Sequence, residues 1–149
     1  MKTDLKGKVV VLTGAGGGIG SATAEALAQR GMKLVLLGGN NREKLEKTRE
    51  TVSKYSETVT IPGNLTDLDF LASGVERAVE SFGGVDVLIN NAGTAQSAAI
   101  ETISPEEFDR IMAINFRAPF FLTQKMLPHL KRSSAATIIN ICSVVAHAG

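Results

Sequence analysis

The amino-acid sequence predicts a doubly wound parallel α/β sheet, and three observations carry that expectation. Short apolar runs alternate with longer amphipathic stretches from one end of the 149-residue chain to the other. A glycine-rich turn joins the first apolar run to the stretch that follows it. Polar or glycine clusters stand directly after several of the runs. Strands separated by helices of this length pair in parallel through right-handed crossovers, with helices on both faces.

Val9-Val-Val-Leu12 is β-branched and unbroken, as in a strand buried on both sides. Residues 21–30 are rich in alanine, with Leu27 and Ala26 on one side, and Gly31 stands where a helix ends. Leu34-Val-Leu-Leu37 is the second strand. Residues 42–54 place Leu45, Thr48 or Arg49, Val52 and Tyr55 at helical spacing. Thr58 to Ile61 forms a third strand, closed by Pro62-Gly63.

Thr66 or Asp67 caps the next helix, whose apolar positions are Leu68, Leu71, Val75, Val79 and Phe82, and Gly83-Gly84 ends it. Val85 to Ile89 is the fourth strand. Ser104-Pro-Glu-Glu107 combines a capping box with proline at the first helical position. The helix it starts runs to about Lys131, interrupted at Pro119, and Thr137 to Ile141 is the fifth strand. No repeat, linker or low-complexity tract divides the chain, so residues 1–149 read as one domain.

Composition excludes several classes of function. Sixteen Lys and Arg balance fifteen Asp and Glu, for a formal charge of +1, so the basic field that nucleic acid requires is missing. The bases at 42–54 alternate with Glu43, Glu46 and Glu50, as on a solvated helix face. Cys142 is the single cysteine, and His129 and His147 stand at no metal-ligand spacing. The amino terminus lacks the pattern of a secretory leader, and no apolar run is long enough to span a membrane. These features lead us to expect a soluble, cytoplasmic protein.

Open parallel sheets bind ligands beyond the carboxyl ends of their strands, where strand order reverses. The clusters "TGAGGGIG", "PGNLTD", "NNAG" and "CS" follow the first, third, fourth and fifth strands, so one crevice can collect them. In Gly14-Ala-Gly-Gly-Gly18-Ile19-Gly20, glycines between a buried strand and a helix permit close approach of backbone N–H groups to a pyrophosphate. The pattern is neither the literal G-x-G-x-x-G fingerprint nor a P-loop, since no lysine follows at the required spacing.

These motifs together resemble the short-chain dehydrogenases/reductases. The family's T-G-x-x-x-G-x-G is matched by Thr13, Gly14, Gly18 and Gly20, and its N-N-A-G by Asn90-Asn91-Ala92-Gly93. "MAINFRAPFFLTQKMLP" is similar to the helix carrying the family's catalytic Asn, here Asn115, and "IINICS" to the strand leading to its catalytic Ser, here Ser143. The resemblance runs from about Lys6 to Gly149. It implies a Rossmann-type fold, hydride transfer between a nicotinamide dinucleotide and a small carbonyl or alcohol, and a homo-oligomer with Phe120 and Phe121 toward a partner subunit. For the cofactor it implies contacts from Gly14, Gly18, Ile19, Gly20, Asn64, Leu65, Asn91, Ala92 and Gly93.

Asn115 has a local argument as well. Pro119, four residues on, has no N–H for the Asn115 carbonyl, and its ring crowds that oxygen. A carbonyl released in a helix bend can hold a water; a kinked helix with Asn in the bend is the plainer alternative. Ser143 likewise reads either as a substrate-orienting hydroxyl or as the polar end of a strand. With His147 it makes no hydrolase pair, because Ile141 and Val145 occupy the positions where a nucleophile elbow needs glycine. Cys142, His129 and the Phe116, Phe120 and Phe121 cluster read as strand and helix packing.

Two departures from the family concern the cofactor. Gly38-Gly-Asn-Asn41 follows the second strand, where an acid would select NAD or a base NADP, so the sequence leaves NAD and NADP open. Asn64 stands where the family carries Asp beside the adenine, and its amide oxygen can take over that bond without charge. A third departure concerns catalysis. The family's acid/base tyrosine and its partner lysine, Tyr-x-x-x-Lys, are absent: Tyr55 is the single tyrosine, and Val59 stands four residues after it. The expectation is a family fold truncated after the fifth strand, leaving that strand as an edge, and inactive by itself. The alternatives are a non-catalytic dinucleotide-binding module or a remnant that associates through its uncovered edge.

Overall fold

A computed structural model of the chain describes residues 4–95 and 99–143. His147 and Val145 lie outside the described residues. The elements run β1 (Val9–Thr13), α1 (Gly18–Ala28), β2 (Lys33–Leu37), α2 (Arg42–Val52), β3 (Thr58–Ile61), α3 (Leu68–Phe82) and β4 (Val87–Asn90). A 3-10 turn at Ile100–Thr102 leads into α4 (Pro105–Met112), a π-helical turn (Ala113–Arg117), α5 (Ala118–Leu130) and β5 (Thr137–Asn140).

The five strands lie in the order β3-β2-β1-β4-β5, every pair parallel. Strand order therefore reverses beside β1, between its pairings with β2 and β4. Alternation along β1 divides the interior in two. Val9 and Val11 face a core shared with α3 and α5, including Leu71, Val75, Leu122 and Met126. Val10 and Leu12 face a second core with Ala24, Ala28, Leu45 and Val52 of α1 and α2. A strand buried on both faces has no polar side, which is why these runs read as continuous apolar stretches.

Helix α1 buries Gly20, Ala24 and Ala28, whereas Ala26 is exposed and Leu27 half-buried. The expected Leu27 and Ala26 face is thus rotated toward a line of small residues, which lets α1 lie close against the sheet. Helix α2 buries Leu45, Thr48 and Val52 but ends there, leaving Tyr55 half exposed in the following turn. Asp67, not Thr66, caps α3, its carboxylate accepting from the N–H groups of Asp69 and Phe70. Gly83 ends that helix at φ 77°, the left-handed conformation glycine adopts without a Cβ penalty.

Ser104 caps α4 by accepting from the Glu107 N–H at 3.2 Å. The break expected at Pro119 is realised one turn earlier, as the π-helical turn. There the Ala118 N–H reaches the carbonyl of Ala113, five residues back. Phe116 and Phe120 stack outward and are 64% and 55% exposed, so the expected helix packing holds for Phe121 but not for them. Strand β5 is exposed along its whole length, as an uncovered edge should be. Among the described residues no helix is long and apolar enough to cross a membrane.

Candidate functional site

Because all strands are parallel, the loops after β1, β3, β4 and β5 emerge at the same edge of the sheet. Between the loops after β1, β3 and β4 lies a crevice of about 430 Å³. Each of Gly14, Gly18, Ile19, Gly20, Asn64, Leu65, Asn91, Ala92 and Gly93 lines it. Gly17, Gly39, Asn40, Gly63 and Ile114 complete the wall, none of which was nominated from the sequence. The glycine pairs were the available signal, since a chain that spends glycine beside a strand end is making room there.

Thr13 organises the junction of the loops. Its buried hydroxyl accepts from the N–H groups of Asn91 and Ala92, each at 3.0 Å, and donates to the Ile89 carbonyl at 3.4 Å. The Asn91 side chain returns the connection, its amide nitrogen donating to the carbonyls of Thr13 at 3.0 Å and Gly14 at 3.2 Å. Asn91 therefore borders the crevice chiefly as the tie between two loops. The glycines around it are steric requirements. A Cβ on Gly14 would stand 2.8 Å from Ala92 Cα, and one on Gly20 would stand 2.8 Å from the Asn91 amide nitrogen.

The first turn of α1 meets the crevice without a side-chain cap and without an acid in it. Its N–H groups and the positive helix end are thus presented to the opening, with Ile19, 66% exposed, above them. Across the crevice, Leu65 is buried while Asn64 is exposed. The Asn64 amide oxygen already accepts from the N–H and hydroxyl of Thr66, at 3.0 and 2.9 Å. The oxygen expected to serve an adenine is thus engaged by the local turn in this structure.

Asn115 sits in the π-helical turn, and its side chain clamps the loop after β4. Oδ1 accepts from the Thr94 N–H and Nδ2 donates to the Thr94 carbonyl, both at 2.8 Å. Gly93 is again the concession, since a Cβ there would lie 3.3 Å from Asn115 Oδ1. Pro119, four residues on, has no N–H to offer the Asn115 carbonyl. A second, more apolar groove of about 500 Å³ begins at Ala92 and runs past Asn115, Asn140 and Cys142. Ser143 is exposed, two residues beyond Ile141, whose N–H donates to the Asn90 carbonyl at 2.9 Å. Cys142 is exposed beyond the end of β5 rather than held within a strand.

At the opposite edge of the sheet, Asp86 ties β1 to the segment before β5. Burial pushes its carboxyl up, but the Ser133 hydroxyl, the Val9 N–H and Lys8 outweigh this and hold it below the usual value of 3.8.

The sequence and its fold have counterparts in known proteins. Residues 8–149 match the family model described as short chain dehydrogenase. A versicolorin reductase of Emericella nidulans is 39% identical over 128 residues, covering 85% of this chain and 48% of the reductase. A 3-oxoacyl-[acyl-carrier-protein] reductase of Thermotoga maritima is 34% identical, covering 95% of this chain and 57% of its own. The crystal structure of an NAD+-bound xylitol dehydrogenase superposes with a TM-score of 0.93 at 32% identity, covering 99% of this chain and 57% of that one. The chain thus spans about half the length of the curated relatives it matches. With the family's model matched from Lys8 onward, and its glycine turn and N-N-A-G meeting at one crevice, the chain belongs to the short chain dehydrogenase family.

Proposed function

We propose that this chain is the dinucleotide-binding part of an NAD(P)-dependent oxidoreductase acting on a small carbonyl or alcohol. The observation that carries the reading is the meeting of Gly14–Gly20 with Ala92-Gly93 across one crevice at the strand-order reversal. The cradle fits such a ligand, because side chains at Gly14 or Gly20 would collide with its own frame. The nicotinamide, when bound, supplies or accepts the hydride. The first turn of α1, with Gly18, Ile19 and Gly20, holds the pyrophosphate through backbone N–H groups. Asn64 and Leu65 border the adenine; Asn91 fixes the loop whose Ala92 and Gly93 border the nicotinamide side. Ser143 orients the substrate oxygen, and Asn115 holds the loop after β4 in place.

Proton transfer is a separate matter, since residues 1–149 hold no Tyr-x-x-x-Lys. Tyr55 cannot substitute. It follows the end of α2, at the edge of the sheet opposite the crevice. This favours binding without turnover by the 149-residue chain itself. The protein is cytoplasmic in this reading, and the outward Phe116 and Phe120 support a homo-oligomer. Fluorescence titration of the 149-residue chain with NADH and NADPH should show saturable binding, and addition of a reducible carbonyl should leave the reduced cofactor unconsumed. Absence of binding at millimolar cofactor would refute the dinucleotide reading, and carbonyl-dependent consumption would refute inactivity.

A further inference from the structure

Beside the crevice lies a much smaller cavity, which shares Leu65, Ala92 and Ile114 with it. Its volume is about 10 Å³, room for one water molecule and nothing larger. Two polar side chains reach its otherwise apolar wall, Thr13 and Asn90. The Thr13 hydroxyl is saturated, accepting from two N–H groups and donating to the Ile89 carbonyl. Asn90 is not. It is 6% exposed, and its amide nitrogen donates to Thr123 Oγ1 at 3.1 Å and to Asn140 Oδ1 at 2.8 Å. Those partners lie on α5 and β5, so the amide oxygen is turned the other way, toward β1 and the cavity. That oxygen is buried, and among the described residues no group donates to it. An acceptor so placed bears its full desolvation cost unless a donor reaches it.

The π-helical turn brings a second acceptor to the same place. In a regular α-helix the Ile114 carbonyl would accept from the Ala118 N–H, but that N–H donates to Ala113. The next position along the helix is Pro119, which has no N–H. The proline thus releases the Ile114 carbonyl in addition to that of Asn115. Helix carbonyls point toward the carboxyl end, so this one is directed at Ala118 and Pro119, which line the cavity with Ile114.

Two acceptors without a donor call for a ligand with two protons to give. A hard cation would need about six oxygens around it, and an organic group exceeds the volume. We propose that a single water is bound in this cavity, donating one proton to Asn90 Oδ1 and the other to the Ile114 carbonyl. It joins the end of β4 to the turn that carries Asn115, so the clamp on Thr94 is anchored to the sheet from below as well as through its own loop. The site uses neither the dinucleotide crevice nor the Asn115 carbonyl.

A crystal structure of the 149-residue chain, at a resolution where ordered solvent is visible, should show one water within hydrogen-bond distance of both oxygens. Magnetic relaxation dispersion of the solvent should count it among the waters that outlast molecular tumbling. Ala118→Ser supplies the comparison. A helical serine hydroxyl donates to the carbonyl four residues earlier, here that of Ile114, and its oxygen takes the water's place. The variant should hold one long-lived water fewer, with circular dichroism reporting that the fold is kept. A parent structure without a water at that position would overturn the proposal, and that result stands even if the variant fails to fold. An unchanged count of long-lived waters in the folded variant would overturn it too.

Discussion

Asn91 and Thr13 are joined twice: the Asn91 N–H donates to the Thr13 hydroxyl and the Asn91 side chain to the Thr13 carbonyl, each at 3.0 Å. The pair locks the end of β4 to the end of β1, so the two walls of the crevice are one rigid piece. Thr13 is 3% exposed, and its hydroxyl uses both lone pairs and its proton. Thr13→Val keeps the shape but strands two N–H groups. It should cost about 2–4 kcal/mol by urea unfolding, whereas Thr13→Ser should cost about 1. Equal losses would mean that the methyl, not the hydroxyl, matters.

Two left-handed glycines separate backbone strain from steric closure. Gly14 and Gly83 have nearly the same φ, 70° and 77°, but a Cβ on Gly83 would meet nothing within 4 Å. Gly83→Ala should therefore lose only the conformational term, about 1 kcal/mol. Gly14→Ala adds a collision with the backbone of Ala92 and should lose clearly more, with dinucleotide binding abolished. Thermal melts of the two variants side by side make the comparison, and parity between them would remove the steric argument.

Most of the fold was legible because the chain's periodicities are consistent with one another. The unbroken Val9–Leu12 run announced a doubly buried strand, and the two caps Ser104 and Gly83 fell where hydrogen-bond chemistry places them. The π-helical turn was not legible in its position. Proline marks where an N–H is missing, but how the preceding turn redistributes its carbonyls depends on tertiary packing. The site was legible as a set of residue types and not as roles. Asn91 and Asn64 read as cofactor contacts, yet both spend their amides on backbone or neighbouring groups, because an Asn beside a turn finds local partners first.

Asp86 makes stability depend on pH. Its folded-state pKa lies below the ordinary value of 3.8, so the unfolded chain takes up its proton first as pH falls. The stabilisation is complete above that value and disappears as pH drops through the folded pKa. Asp86→Asn should therefore lower stability at neutral pH, by about 1–3 kcal/mol given the loss of charged hydrogen bonds to Ser133 and Val9. The gap between variant and parent should close on acidification below about pH 4. A gap independent of pH would assign the effect to packing.

Asn115 and Thr94 give the last test, of whether the Asn115 side chain works by positioning. Its oxygen and nitrogen meet the Thr94 N–H and carbonyl in complementary sense, a pairing that no other residue type of the same length reproduces. Asn115→Asp keeps the acceptor for the Thr94 N–H but turns a second oxygen toward the Thr94 carbonyl, so repulsion replaces a hydrogen bond. Asn115→Ala removes both contacts without repulsion. Amide exchange at Thr94 should quicken in both variants, and more in the Asp form despite its smaller change in shape. Global stability should fall by no more than about 1 kcal/mol in the Ala variant, because the site is exposed and water replaces the lost partners. Faster exchange at Thr94 in the Ala than in the Asp variant would show that the clamp depends on the single Thr94 N–H bond, and the loop after β4 would then owe its position to Thr13 and Asn91 alone.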